Sequence, residues 1–181
     1  MLQIAVPLGT EYYDEEKEEF VYPKVQILQL EHSLVSLSKW ESKWHKPFLS
    51  KERMSDEETA DYIKCMTLTQ NVPPTVYSHL TSENIQEVTE YINNPMTATT
   101  FSEDKNAKPN REIVTAEIID YWMIALNIPF ECRKWHLNKL LALIKVCTIK
   151  NSPQKKMSQK EAMSQQRALN AARRKKLNTK G

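Results

Sequence analysis

The stretch that decides the fold is REIVTAEIIDYWMIALNIPFECRKWHLNKLLALIKVCTI, from Arg111 to Ile149. In its first half Ile113, Ala116, Ile119 or Asp120, Met123 and Leu126 or Asn127 recur at helical spacing, and Val114, Ile118, Tyr121, Trp122 and Ala125 form a second apolar stripe. A helix that is apolar on two sides belongs in the middle of its domain. Pro129 interrupts the pattern. Beyond it, Trp135, Leu137, Leu140, Leu141, Ile144 and Val146–Cys147 restart it. The spacing predicts two helices, joined by a tight turn at Ile128–Pro129 and packed as an antiparallel pair.

Upstream the same period continues, with start signals in the right places. Ser33 can cap LVSLSKWESKW, where Leu34, Leu37, Trp40 and Trp44 fall at spacings of three and four, and Pro47 ends the run. Ser55 and Glu58 form a capping box for DEETADYIKCMTL, whose apolar face is Ala60, Ile63 and Met66 or Thr67. Pro73–Pro74 opens a short helix over Thr75–Leu80. Thr81 or Ser82 caps ENIQEVTEYINN, with Ile85, Val88 and Ile92 as the buried row before Pro95. Met96–Asn110 mixes β-branched and charged residues and reads as a loop or a short edge strand.

Only the N-terminus departs from this pattern. In Lys24–Glu31, Val25, Ile27 and Gln29 share one face while Gln26, Leu28 and Leu30 share the other, which favours a strand. Leu2–Val6 is its natural partner, with the acidic run Glu11–Glu19 as the connecting loop and Pro23 at the start or edge of the second strand. The fold class is therefore mainly α: a helical domain over 1–150 with an N-terminal β-hairpin, followed over 151–181 by a basic, partly disordered helical arm.

Charge separates these two parts. Residues 150–181 hold ten Lys or Arg against the single acid Glu161, a net of +9; the whole chain is +2, so residues 1–149 carry −7. An acidic body with a basic arm suits a clasp or a docking segment for an acidic partner. The arm has no aromatic side chain to stack on bases, and the acidic body would repel a phosphate backbone, which argues against nucleic acid. Its apolar stripe (Ala162, Met163, Leu169, Ala172, Leu177) is too thin to anchor a membrane patch, and the longest apolar segment, Ile118–Ile128, is too short to cross a bilayer. Docking on a protein fits best, with Leu169 giving hydrophobic contact and Arg173, Arg174, Lys175 and Lys176 giving charge-matched contact. Trp40 and Trp44 are the second candidate surface, for stacking against a partner; core packing against the hairpin is the plainer account of that pair.

The search for chemistry finds little. Gly9 and Gly181 are the only glycines, so phosphate-cradling loops, dinucleotide fingerprints and nucleophile elbows cannot be built. Cys132 and His136 fall four apart on one predicted helix face, and with Cys147 they sketch a zinc site that lacks a fourth ligand. They also sketch a nucleophile–base pair, although such a pair within an amphipathic helix points into packing. Cys65, Cys132 and Cys147 read as buried thiols in a reducing compartment, no secretory leader is visible, and no cofactor or metal is expected.

Four blocks, LEHSLVSLSKWESKW (Leu30–Trp44), PMTATTFSED (Pro95–Asp104), PFECRKWHLNKLLALIKVC (Pro129–Cys147) and ALNAARRKKLNTKG (Ala168–Gly181), resemble tail assembly chaperones of long-tailed bacteriophages. The likeness spans nearly the whole chain and includes no catalytic signature. It implies a non-enzymatic protein of the host cytoplasm, which leaves before the virion matures. Such a protein binds the long helical tape measure protein and helps recruit tail tube subunits; homo-oligomerisation stays open. A virion head–tail connector and a nucleic-acid-binding regulator using the arm are the alternative readings.

Overall fold

The computed structural model describes residues 1–9, 12–14, 19–21, 24–50, 52–101, 113–152 and 159–177. The fold is mainly α with an N-terminal β-hairpin. The chain divides into two compact units, Met1–Thr148 and Ile149–Gly181.

Strand β1 (Leu2–Pro7) pairs antiparallel with β4 (Val25–Leu30), in a register that sets Ile4 opposite Leu28 and Leu2 opposite Leu30. One face of this ribbon is sealed: Ile4, Val6, Leu28 and Leu30 are all buried. The acidic connection is more than a loop. Tyr12–Asp14 (β2) and Glu19–Val21 (β3) pair as a second short hairpin, because the acidic run is bracketed by Tyr12, Tyr13, Phe20 and Val21, all good strand formers. Pro23 lies outside the described residues.

Helix α1 (Leu34–Trp44) begins where the sequence predicts, with the Ser33 hydroxyl accepting from the Ser36 N–H and the Ser36 side chain returning the bond. It ends at His45 in the left-handed conformation, φ 52°. Asn71, Met96 and Asn127 also take positive φ; these turns are built from Asn, His and Met, at a conformational cost that glycine would avoid. Helix α2 (Asp56–Met66) carries the expected Ser55–Glu58 box. It buries Tyr62, Ile63 and Met66, with Ala60 only half-buried.

A short 3-10 turn over Pro74–His79 leads to α3 (Ser82–Asn93). Here the buried row is Asn84, Val88 and Tyr91, one residue out of step with the expected Ile85, Val88 and Ile92; Ile85 is left 40% exposed. Two polar contacts set the rotation. Asn84 Nδ2 donates to the Ala5 carbonyl at 3.2 Å, on the outer edge of β1, and the Tyr91 hydroxyl donates to Glu31 Oε1 at 2.7 Å. These bonds outweigh the preference of Ile85 for the interior.

Helix α4 (Ala116–Ala125) and helix α5 (Leu137–Asn151) bury residues in one cluster but are not joined by the tight turn at Ile128–Pro129 that the sequence suggests. A 3-10 turn over Phe130–Lys134 separates them, and the closest backbone approach of α4 is to α1. Arg133 forks onto Asp120 from that turn, Nε to Oδ1 at 2.9 Å and Nη2 to Oδ2 at 3.0 Å. The backbone of α5 is tied instead to the end of the hairpin, where the Leu137 N–H donates to the His32 carbonyl at 2.7 Å.

Two hydrophobic clusters result. The first joins the inner face of β1 and β4 to Trp40, Tyr62, Ile63, Met66, Val76, Val88 and Tyr91. The second joins Leu34 and Leu37 to Ala116, Ile119, Met123, Ile128, Cys132, Leu137, Leu140 and Ile144. Helix α1 feeds both, so the central helix is α1 and not α4. In the second unit, α6 (Gln159–Leu177) extends through the basic arm.

Candidate functional site

Three places in the described residues gather side chains with chemistry or with bare apolar surface. The first is a polar knot between the two clusters. His32 ends the β4 segment and His136 precedes α5; the antiparallel bridge between Ser33 and His136 brings their rings to 5.1 Å, edge to face. His32 Nδ1 lies 2.5 Å from the Tyr62 hydroxyl. His136 Nε2 lies 3.0 Å from the Tyr91 carbonyl, and its Nδ1 accepts from the Asn138 N–H at 3.3 Å, so the proton sits on Nε2. Burial pushes His32 down to about 3, with the neighbouring His136 adding to the effect. His136 is also lowered, again chiefly by burial. Burial raises the Tyr62 and Tyr91 phenols. Both imidazoles are therefore neutral at physiological pH and are occupied in holding α2, α3, α5 and the hairpin together. The sequence shows four scattered histidines; only the long-range bridge makes two of them a pair.

The second place is the tryptophan pair. Trp40 and Trp44 stack at 6.2 Å and 28°, but they do not share an environment. Trp40 is 2% exposed, donates from Nε1 to the Glu58 carbonyl at 3.0 Å and packs edge-on against Phe48 and Tyr62. It is a core residue and offers no surface to a partner. Trp44 is half-buried, and its Nε1 donates to Asp61 Oδ2 at 2.9 Å while Lys43 pairs with Asp61 Oδ1. It lines a shallow groove of about 200 Å³ with Tyr77, Pro74 and Lys64. Of the two, only Trp44 is placed to touch anything outside the fold.

The third place is bare helix surface. Every side chain of α6 whose exposure is described is exposed, including Leu169 at 54%, Met163 at 56%, Leu177 at 69% and the run Arg173, Arg174, Lys175 and Lys176. On α4 the second apolar stripe is covered in part: Val114 and Trp122 pack against the second cluster and Ile118 is half-buried, while Tyr121 and Ala125 are exposed, as are Ile124 and, just before the helix, Ile113. At the helix start the Glu41 carboxylate, itself buried, accepts from the Phe48 N–H and from the Ala116 N–H, each at 2.8 Å. Thr115 makes no side-chain cap of its own, so a residue of α1 serves as the cap of α4.

The residues that sketch a zinc or nucleophile site fall on different elements. Cys132 is buried in the 3-10 turn, His136 is committed to Tyr91 and Asn138, and Cys147 is half-buried on α5. Among the described residues no group of three or more His, Cys, Asp or Glu side chains could hold a metal ion. Nor is any helix among them long and apolar enough to cross a membrane. No protein-family profile, curated protein or solved structure matches this sequence.

Proposed function

We propose that this protein is a non-enzymatic tail assembly chaperone of the long-tailed bacteriophage type. Acting in the host cytoplasm, it holds the tape measure protein soluble and brings tail tube subunits to it. The phage identity rests on the four resembling sequence blocks. The observation that supports a binding role is α6: a nineteen-residue helix whose described side chains, Leu169, Met163 and Leu177 among them, are turned to solvent. A helix so polar gains little from its own unit. It gains from a partner that covers the thin Leu–Met row and offers carboxylates to Arg173, Arg174, Lys175 and Lys176. A long amphipathic helical protein provides both.

Co-expression of the full chain with the tape measure protein of the same phage tests this reading. The two are expected to co-purify, more weakly as salt is raised. The quadruple reversal R173E/R174E/K175E/K176E is expected to weaken capture at least tenfold, and Leu169→Asp to weaken it less. Failure of the wild-type chain to hold the tape measure protein at low salt refutes the proposal.

A further inference from the structure

Helix α4 presents an exposed line that no described element of its own unit covers. Glu117, Tyr121 and Ile124 follow one another at spacings of four and three, so they share a face. Ile113 is 64% exposed, Tyr121 67% and Ile124 60%. The helix carries no Lys or Arg. Along the helix the line therefore reads carboxylate, phenol, apolar, with Ile113 exposed in the extended segment before it.

We propose that this face pairs with the same face of a second copy, antiparallel about a two-fold axis near Ile119. The order of groups makes the pairing self-complementary. Reversal sets Glu117 opposite Tyr121 of the second copy, twice over, so each carboxylate accepts a hydrogen bond from a phenol hydroxyl. It brings Ile124 to the extended segment that carries the exposed Ile113, closing both ends with apolar contact. An unrelated helix would have to supply a donor opposite Glu117 and an acceptor opposite Tyr121, one turn apart; α4 itself carries that pair. Antiparallel packing also sets the positive end of each helix dipole beside the negative end of the other. The Glu117 carboxylate stays ionised, held below its usual range by its own backbone N–H and the Thr115 hydroxyl. It keeps lone pairs free for a further donor. A ten-residue helix spans only about 15 Å, which is short for a standard interface of about 800 Å² per partner. The dimer is therefore weak and exchanges with monomer.

Sedimentation equilibrium on the full chain alone, over roughly 5 to 300 μM, is expected to show monomer and dimer in exchange. Tyr121→Glu sets carboxylate against carboxylate at both ends and is expected to weaken dimerisation at least tenfold. The double variant E117K/Y121E sets Lys against Glu at both ends and is expected to restore it. Unchanged circular dichroism and melting of each variant at low concentration show that the fold is intact. A wild-type chain that stays monomeric throughout overturns the proposal. So does dimerisation indifferent to Tyr121→Glu, or a double variant that stays as weak as the single one. Because no tape measure protein is present, none of these results bears on the chaperone reading.

Discussion

Helices α1 and α4 lie against each other and share a carboxylate, yet they are buried in opposite ways. Helix α1 carries Ser36, Ser38, Lys39, Glu41, Ser42 and Lys43 among its eleven residues and is still covered on two sides. Trp40 faces the hairpin cluster, while Leu34 and Leu37 face the α4–α5 cluster. Helix α4 is almost wholly apolar, yet it buries fully only Ala116, Ile119 and Met123, with Trp122 half-covered beside them. The number of apolar stripes on a helix says how much surface it can bury. Neighbouring elements decide how much it does bury, and here the hairpin and α5 both arrive at α1. Among the described residues of its unit, α4 keeps Tyr121 and Ile124 exposed.

Emptying the central helix should have the largest effect. Trp40→Ala removes a fully enclosed indole and its bond to the Glu58 carbonyl. It is expected to cost about 3–5 kcal/mol in urea unfolding, enough to threaten a marginal domain. On the covered side of α4, Met123→Ala is expected to cost about 2–4 kcal/mol. A loss at position 40 no greater than that of an exposed position would mean that α1 is not central.

How much of this was legible in the sequence follows the range of the interactions. Ser33, Ser55 and Thr81 start helices as predicted because capping is decided within four residues. The β1–β4 ribbon was legible because alternation over six residues fixes a face. The phase of α3 was not, because Asn84 answers to Ala5 and Tyr91 to Glu31, residues far away in the chain. The tight turn between α4 and α5 was not legible because a 3-10 turn occupies Phe130–Lys134, with Trp135 left 39% exposed under the Lys139 ammonium. The tryptophan pair shows the same limit. Spacing placed Trp40 and Trp44 on one face, but which of them meets solvent depends on Phe48 and Tyr62 arriving from elsewhere. The exposure of Tyr121 and Ile124 on α4 had no local signal, since an apolar side chain reads alike whether or not something covers it.

The polar knot makes stability depend on pH. His32 titrates near 3 in the folded chain and near 6.5 when unfolded. Above pH 6.5 neither state is protonated there and the group is indifferent to pH. Below it the unfolded chain binds a proton that the folded chain refuses, so stability falls as pH falls from 6.5 towards 3. The slope is about 1.4 kcal/mol per unit, which amounts to roughly 2 kcal/mol lost by pH 5. His136 adds to the loss in the same direction. His32→Asn is expected to flatten this slope in denaturant titrations at stepped pH, and an equally steep acid limb in that variant would assign the loss elsewhere.

The shared carboxylate tests whether α1 truly organises α4. Glu41→Ala leaves the Phe48 and Ala116 N–H groups without their acceptor at a buried site. Each orphaned donor carries a penalty of about 1–3 kcal/mol, reduced wherever water can enter. A total near 2 kcal/mol is expected, with Glu41→Gln losing less because one oxygen still accepts. Amide exchange should show the first turn of α4 losing more protection than α2 or α3. Equal loss everywhere would make Glu41 a general core residue.

The bare face of α4 should give the smallest effect, and its smallness is informative. Tyr121→Ala and Ile124→Ala remove side chains that are mostly in water already. At concentrations well below the dimer's dissociation constant, each is expected to shift unfolding by no more than about 0.5 kcal/mol. An association that binds only the folded chain adds stability as concentration rises. The wild-type chain should therefore melt higher when concentrated, and both variants should melt at one temperature throughout. A large loss at low concentration for either variant would mean that this face is covered within the chain, and the contrast between α1 and α4 would vanish.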